Sequence, residues 1–251
     1  MSERTLVISD IHGHYDYLRA VDKKYGDSVD QYIFNGDLIA GGPQPAEVMH
    51  YVRQLGDQAL VLYGNNELKY MMAIDGNNGS EKIALRRQCT RLFSRAALAG
   101  FCASYHVKSS SQRVSLQHIE AAMKERGDWD VLEQAKMYYE APDYITIHAG
   151  LTNESWSLQQ KHLAKAKADI TQKNYVFPMQ IMDDAKKSLS TSQRPFSATQ
   201  KTVITGHAHN IQGDPVTAHG KRVRLATRLQ DGAPLRVWES WNQRIQEITP
   251  A

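Results

Sequence analysis

The chain has 251 residues, 41% hydrophobic and 23% charged, with a formal charge of +3. This is the profile of an ordinary soluble globular protein of one domain, or of one domain carrying a sizeable insertion. The mild charge and the lack of a basic tract give no case for nucleic acid, and no stretch nears the roughly 20 apolar residues of a membrane helix. The apolar stretch before Asp10 is too short for a signal peptide core. Cys89 and Cys102 lack paired metal spacing, so reduced, packed thiols in a cytoplasmic protein are expected.

In chain order, a strand at 5–9 leads to a helix at 15–24. A strand at 31–35 leads to a helix at 44–55, and a strand at 59–63 to a helix starting near Glu67. Such alternation argues for a layered α/β fold. Residues 76–142 break the rhythm. They open with the turn cluster Asp75-Gly76-Asn77-Asn78-Gly79-Ser80 and then read mostly as helix, which predicts a helical insertion capping one rim. The strand pattern resumes at Tyr144. Residues 153–200 read as helical or irregular, TVIT precedes Gly206, and RVRLA, PLRVWES and RIQEI read as three successive strands finishing a second sheet.

Five short pieces follow the apolar strands: Asp10-Ile11-His12, Gly36-Asp37, Gly64-Asn65, His148 and Gly206-His207-Ala208-His209. Strand ends facing one rim are where α/β folds collect their chemistry. In an extended segment, side chains two apart project to one side, so Asp10 and His12 can serve one cation. The Asp37 carboxylate has two oxygens and can bridge two cations. Asn65, His148, His207 and His209 add neutral oxygen and nitrogen donors. A donor set of carboxylate, imidazole and amide without thiolate suits Mn²⁺ foremost, with Fe or Zn²⁺ as alternatives. Two cations about 3.5–4 Å apart polarise a phosphoryl group and lower the pKa of a water towards about 7, so that it attacks phosphorus in line.

These pieces resemble the calcineurin-like metallophosphoesterase superfamily, and within it the phosphoprotein phosphatase-like group, whose pattern is GDxHG, GDxxDRG, GNHE, HGG or HAG, and GH. Here they read Ser9-Asp10-Ile11-His12-Gly13, Gly36-Asp37-Leu38-Ile39-Ala40-Gly41-Gly42, Gly64-Asn65-Asn66-Glu67, His148-Ala149-Gly150 and Gly206-His207-Ala208-His209. The stretch 36–68 is most similar to symmetrical bis(5′-nucleosyl)-tetraphosphatases. The resemblance implies a four-layer αββα sandwich of two mixed β-sheets. It places Asp10, His12 and Asp37 on a first metal, with Asp37 shared, and Asn65, His148 and His207 on a second; His209 is assigned to the first. Asn65 would also contact substrate.

The chain departs from this pattern at three places. The family's general acid, a His after the GN asparagine, is Asn66, which occupies the catalytic position without a proton to give. The position of the aspartate that holds that His is Ala40, as in the tetraphosphatases. The position of the phosphate-gripping arginine is Gly41. Losing a positioned general acid costs about 10²–10⁴ in rate. The loss weighs most on an alkoxide leaving group (pKa roughly 15, like water), less on a phenolate (pKa about 10), and least on a phosphate leaving from an anhydride. Three readings of Asn66 stay open: natural specialisation for good leaving groups, a substitution made to trap a ligand, or a decayed enzyme. His14, beside the metal loop, is an alternative acid or an exposed helix-start residue.

For substrate grip, the insertion offers Arg86, Arg87, Arg91 and Arg95 at spacings that align on a helix face. Arg87 and Arg91 are the expected phosphate contacts, a solvated face being the bland alternative, and Arg194 is a weaker candidate. The expected function is a metal-dependent phosphatase or pyrophosphohydrolase acting on a small phosphorylated substrate, nucleotide-like or aryl. The rivals are a phosphoprotein phosphatase of serine/threonine or tyrosine type and a non-catalytic metal-binding scaffold.

Overall fold

The computed structural model describes residues 3–39, 41–75, 95–108, 111–191, 198–208, 214–217 and 219–250. Arg86, Arg87, Arg91, Arg194, His209, Ala40 and Cys89 lie outside the described residues, as does the side chain of Arg95.

The first sheet contains β1 (Thr5–Ile8), β2 (Gln31–Asn35), β3 (Ala59–Leu62), β9 (Leu235–Glu239) and β10 (Arg244–Ile248), in the order β10-β9-β1-β2-β3. The second contains β4 (Tyr139–Glu140), β5 (Tyr144–Thr146), β6 (Thr202–Thr205), β7 (Val216–Thr217) and β8 (Arg222–Arg224), in the order β4-β5-β6-β8-β7. Both are mixed. β1, β2 and β3 run parallel while β9 and β10 pair antiparallel. β5, β6 and β8 run parallel while β4 and β7 pair antiparallel.

The period of two along each strand builds the layers. Val7, Ile33 and Leu62 of the first sheet meet Tyr144, Ile204 and Val223 of the second in an inter-sheet core. Trp238 of β9 packs on Tyr144 there, with ring centroids 4.8 Å apart. Leu6, Ile8 and Phe34, one step out of phase, join the second core beneath the helices. This is the αββα sandwich that the sequence implied.

Helix α1 (Tyr15–Tyr25) buries Tyr17, Leu18, Val21 and Tyr25, an apolar stripe at helical spacing. Helix α2 (Pro45–Gln54) begins on a proline, whose missing N–H costs nothing in the first turn. Helix α3 (Asn65–Asp75) starts two residues earlier than expected and buries Met71 and Met72. The described part of the expected insertion contains α4 (Arg95–Ser104), α5 (Gln112–Arg126) and α6 (Asp128–Gln134). These pack against α2 and α3 and extend the helical layer. Fully buried Asp128 pins the group, accepting from Arg53 at 3.2 Å and the Tyr105 hydroxyl at 3.0 Å, with Arg126 at 3.3 Å. Helices α7 (Trp156–Thr171) and α8 (Val176–Thr191) fill the stretch read as helical or irregular.

One expectation is corrected. The last two tail strands do not finish the second sheet; β9 pairs with β1 and β10 with β9, so they complete the first. Only β8 joins the second. Within the segment 76–142, which the sequence reads mostly as helix, Tyr139–Glu140 forms a two-residue edge strand on β5. No helix among the described residues is long and apolar enough to cross a membrane.

Candidate metal centre

Five parallel strands end on one rim. β1, β2 and β3 deliver Asp10, Asp37 and Asn65, and β5 and β6 of the other sheet deliver His148 and His207. Two groups of ligating atoms result, Asp10–His12–Asp37 and Asp37–His148–His207, each with its atoms within 4.8 Å of one another. Asp37 belongs to both.

Asp10 and His12 do come together, with His12 Nε2 3.9 Å from Asp10 Oδ1. An extended segment is not the reason. Asp10 (φ +56°) and His12 (φ +49°) both lie in the left-handed region, as do Asp37 (φ +54°) and His207 (φ +64°). Residues with a Cβ adopt it uncommonly, at roughly 1–3 kcal/mol each. The surrounding bonds over-determine the turns. His12 N–H donates to the Asp37 carbonyl at 2.8 Å and Gly13 N–H to the Leu38 carbonyl at 2.7 Å, zipping the two loops together. Two glycines permit the close approach. A Cβ on Gly36 would sit 2.5 Å from Gly64 Cα and 2.7 Å from His148 Nδ1, and one on Gly206 would overlap Ser9 Oγ and the Asp10 carboxylate.

Each donor is oriented by a neighbour. His148 Nδ1–H donates to the Asn35 carbonyl at 2.8 Å, which turns Nε2 towards Asp37 Oδ1 at 3.5 Å and Asn65 Oδ1 at 3.2 Å. Asn65 Oδ1 also meets His207 Nδ1, while its Nδ2 donates to Asn66 Oδ1. The Asp10 carboxylate accepts the His207 backbone N–H at 3.0 Å and the Ser9 hydroxyl. Asn66 lies directly on Asp37. Its backbone N–H donates to Oδ1 at 2.9 Å and its side-chain amide to Oδ2 at 3.0 Å, with His12 Nδ1 3.4 Å away. An amide in that place donates hydrogen bonds without releasing a proton.

Glu67 carries the part of the site that the sequence left unassigned. Its Oε2 accepts the N–H groups of Asp37 (2.8 Å) and Gly64 (3.0 Å), and its Oε1 those of Leu38 (2.8 Å) and Ile39 (3.2 Å). One buried carboxylate thus clamps the Asp37 loop to the start of α3. The signal was present in Gly64-Asn65-Asn66-Glu67, a motif quoted whole with a role given to only part of it. Ser9, quoted in its motif without a role, hydrogen-bonds the adjacent Asp10 and the Asn35 carbonyl, and that carbonyl meets His148 across 113 residues. His14 is half-buried and stacks edge-on over Tyr17, so it is not the exposed helix-start residue expected.

The electrostatics favour bound cations. Burial pushes the Asp10 carboxyl up, and the charge of Asp37 adds to that, against the pull of His148. Burial pushes Asp37 up too, but His148, His12 and the Asn66 N–H outweigh it and hold it below the usual carboxylate range. Burial drives His207 down to about 3, with the His148 imidazole opposing its proton further. Among the described residues no Lys or Arg pairs with Asp10, Asp37 or Glu67. The buried carboxylates of Asp10 and Asp37, the imidazoles of His12 and His148, and a buried His207 Nε2 without a hydrogen-bond partner form a donor set that divalent metals fit. Gly41, at φ +121°, lies over His12, where an added Cβ would stand 3.4 Å from His12 Cβ.

The family model for calcineurin-like phosphoesterases matches residues 3–215. The symmetrical bis(5′-nucleosyl)-tetraphosphatase of Sodalis glossinidius is 24% identical over 240 residues, spanning 86% of this chain and 84% of the relative. That of Klebsiella pneumoniae is 38% identical over 74 residues, 29% of this chain and 26% of the relative. A cold-active protein-tyrosine phosphatase of a psychrophilic Shewanella species superposes with a TM-score of 0.60 at 15% identity, covering 99% of this chain and 81% of the other. A protein serine/threonine phosphatase from Saccharomyces cerevisiae superposes with a TM-score of 0.55 at 13% identity, covering 99% and 80%.

Proposed function

The chain belongs to the calcineurin-like phosphoesterase family, hydrolases of phosphate ester and anhydride bonds, and from that premise we propose that it cleaves phosphoanhydrides or esters of good leaving groups. A small nucleotide-like phosphate fits best, as in the long alignment with a dinucleoside tetraphosphatase. Asp10, His12 and Asp37 would hold one divalent ion, and Asp37, Asn65, His148 and His207 the other, with Mn²⁺ the preferred metal. His209 keeps its sequence-based assignment to the first. When bound, the pair supplies the Lewis acidity that polarises a phosphoryl group and acidifies a water towards about pH 7.

The protein's own part is positioning. Asp37 lies between the two donor groups, His148 is held by the Asn35 carbonyl, and Glu67 fixes the loop that carries Asp37. Neutral His207 offers a lone pair and not a proton. The observation that selects the leaving group is Asn66, seated on the Asp37 carboxylate through two hydrogen bonds. It stands where an acid would protonate the departing oxygen and has no proton to transfer, so the leaving group departs as an anion. A nucleotide phosphate or a phenolate tolerates this; a serine alkoxide does not. Phosphotyrosine is therefore a second candidate, and phosphoserine is disfavoured. We read α4–α6 as the described part of an insertion in a single domain that walls the site, since a Cβ added to Gly100 of α4 would stand 3.8 Å from the Gly42 carbonyl oxygen. Buried, free Cys102 accords with a cytoplasmic setting.

The test is a Mn²⁺-supplemented panel of dinucleoside tetraphosphate, aryl phosphate monoester, phosphotyrosine peptide and phosphoserine peptide. The tetraphosphate and aryl substrates should turn over fastest. Faster turnover of phosphoserine than of all the others would overturn the reading, and inactivity on all four would leave a metal-binding scaffold.

A further inference from the structure

Asp10 serves a cation well only if one of its oxygens is turned outward and kept there. Two donors reach the carboxylate. The His207 backbone N–H lies 3.0 Å from Oδ1 and 3.1 Å from Oδ2, so on its own it does not choose between them. The Ser9 hydroxyl does choose: it stands 2.5 Å from Oδ2 and leaves Oδ1 facing His12 Nε2 at 3.9 Å. Ser9 and Asp10 are both buried, so solvent does not compete for that bond.

A serine hydroxyl carries one hydrogen, and here it has two acceptors. The second is the Asn35 carbonyl at 3.0 Å, which already accepts His148 Nδ1–H at 2.8 Å. The carboxylate is both nearer and charged, so the hydrogen goes to Asp10. All three groups converge on one point. A Cβ on Gly206 would stand 2.0 Å from Ser9 Oγ, 2.2 Å from Asp10 Oδ2 and 3.2 Å from His148 Nδ1. The glycine therefore makes room for a hydroxyl placed behind a ligand of each donor group. Removing the hydroxyl affects the two unequally. Asp10 keeps only the N–H that does not choose between its oxygens, while His148 keeps the Asn35 carbonyl. The GDxHG pattern has glycine at the position of Ser9, so the resemblance does not carry this contact over.

We propose that Ser9 is a positioning residue that decides whether the centre holds one cation or two, by locking the Asp10 carboxylate towards the Asp10–His12–Asp37 site. It rests on the reading of the site as a two-metal centre. Groups that orient a metal ligand from behind are worth about 10–100-fold in metal affinity. Here that contribution falls on the first site, because the second site's His148 is tethered by a backbone carbonyl that needs no hydroxyl.

The experiment titrates Mn²⁺ into the metal-stripped full chain and follows it by electron paramagnetic resonance, which counts bound ions and separates a spin-coupled pair from a single ion. The variants are Ser9→Ala and Ser9→Gly, the latter being the residue of the GDxHG pattern. Thr205→Val is the control for loss of a buried hydroxyl, since Thr205 donates to the Val223 carbonyl at 3.0 Å. In both Ser9 variants one ion should bind as in the parent and the other about 10–100-fold more weakly. At a Mn²⁺ level that gives the parent a coupled pair, they should therefore show the single-ion spectrum, while Thr205→Val shows the pair. Hydrolysis of dinucleoside tetraphosphate by Ser9→Ala should recover as Mn²⁺ is raised, with KM near the parent's. Two ions held by both Ser9 variants within about twofold of the parent's affinities would overturn the proposal. So would an equal weakening of both ions, or the same single-ion loss in Thr205→Val, since either would mean that the hydroxyl matters only to the fold. Failure of the underlying reading is separately visible: the parent itself would then bind fewer than two ions. A parent that binds the pair but hydrolyses nothing would contradict the hydrolase reading alone, and the ion count would still decide Ser9.

Discussion

At the scale of single residues, the site is decided by two side chains next to each other in the chain. Asn66 donates to both oxygens of Asp37, through its backbone N–H and its side-chain amide, and cannot act as an acid. Asn66→His should therefore raise kcat/KM for an alkyl phosphate by about 10²-fold while changing dinucleoside tetraphosphate hydrolysis far less. A parallel series of both substrates on parent and variant checks this; equal gains would show that leaving-group protonation does not limit the alkyl ester. Glu67 has a different job. It accepts four backbone N–H groups from the Asp37 loop and Gly64, all away from water. Glu67→Ala leaves those donors unpaired and should destabilise the fold by about 2–4 kcal/mol in denaturant unfolding. Unchanged stability would mean that the loop is held by something else.

At the scale of elements, Glu239 shows how the last strands are tied in. It accepts from the Tyr25 hydroxyl of α1 at 2.9 Å, the Asn242 amide at 2.6 Å and Arg244 Nε at 3.2 Å. Burial pushes its carboxyl up, but the bonds from Asn242, Tyr25 and Arg244 outweigh that and lower it. A depressed folded-state pKa contributes stability above the unfolded value, about 4.3 for Glu, and that stability is lost as pH falls through the folded value. Parent and Glu239→Gln should thus differ in Tm at neutral pH, with the gap narrowing as pH falls below the unfolded value. A gap that does not narrow on acidification would contradict the ion-pair account.

The same strands mark the limit of what the sequence carries. β1, β2, β3, β5 and β6 are legible because each is a short apolar run ending in a polar ligand, a local pattern. The partner of PLRVWES is not local: β9 inserts beside β1, some 230 residues earlier, antiparallel, with Val7 opposite Trp238. Alternation identifies a strand but not which edge it completes. The turn conformation at Asp10 and His12 was equally hidden, since left-handed φ at an aspartate or histidine is imposed by the loops around it. The five ligand-bearing pieces were readable, and so was their meeting on one rim. Of the groups that aim them, the Asn35 carbonyl and Glu67 act across the fold and left no periodic trace, while Ser9 reaches its neighbour Asp10.

At the scale of the whole molecule, the two sheets contribute unequal halves of one centre. The first supplies the carboxylates Asp10 and Asp37, with His12 and Asn65; the second supplies the imidazoles of His148 and His207. Asp37 is the residue common to both donor groups, so it couples the halves. Ions bound across this junction stabilise the folded state by mass action, and stripping them should lower Tm. The most direct measurement is the metal content of purified parent and Asp37→Asn protein after dialysis against Mn²⁺, read beside dinucleoside tetraphosphate hydrolysis. The parent should retain about two ions per chain and turn over the substrate, and the variant should lose metal and activity together. A variant that keeps both ions, or hydrolyses at the parent's rate, would contradict the account.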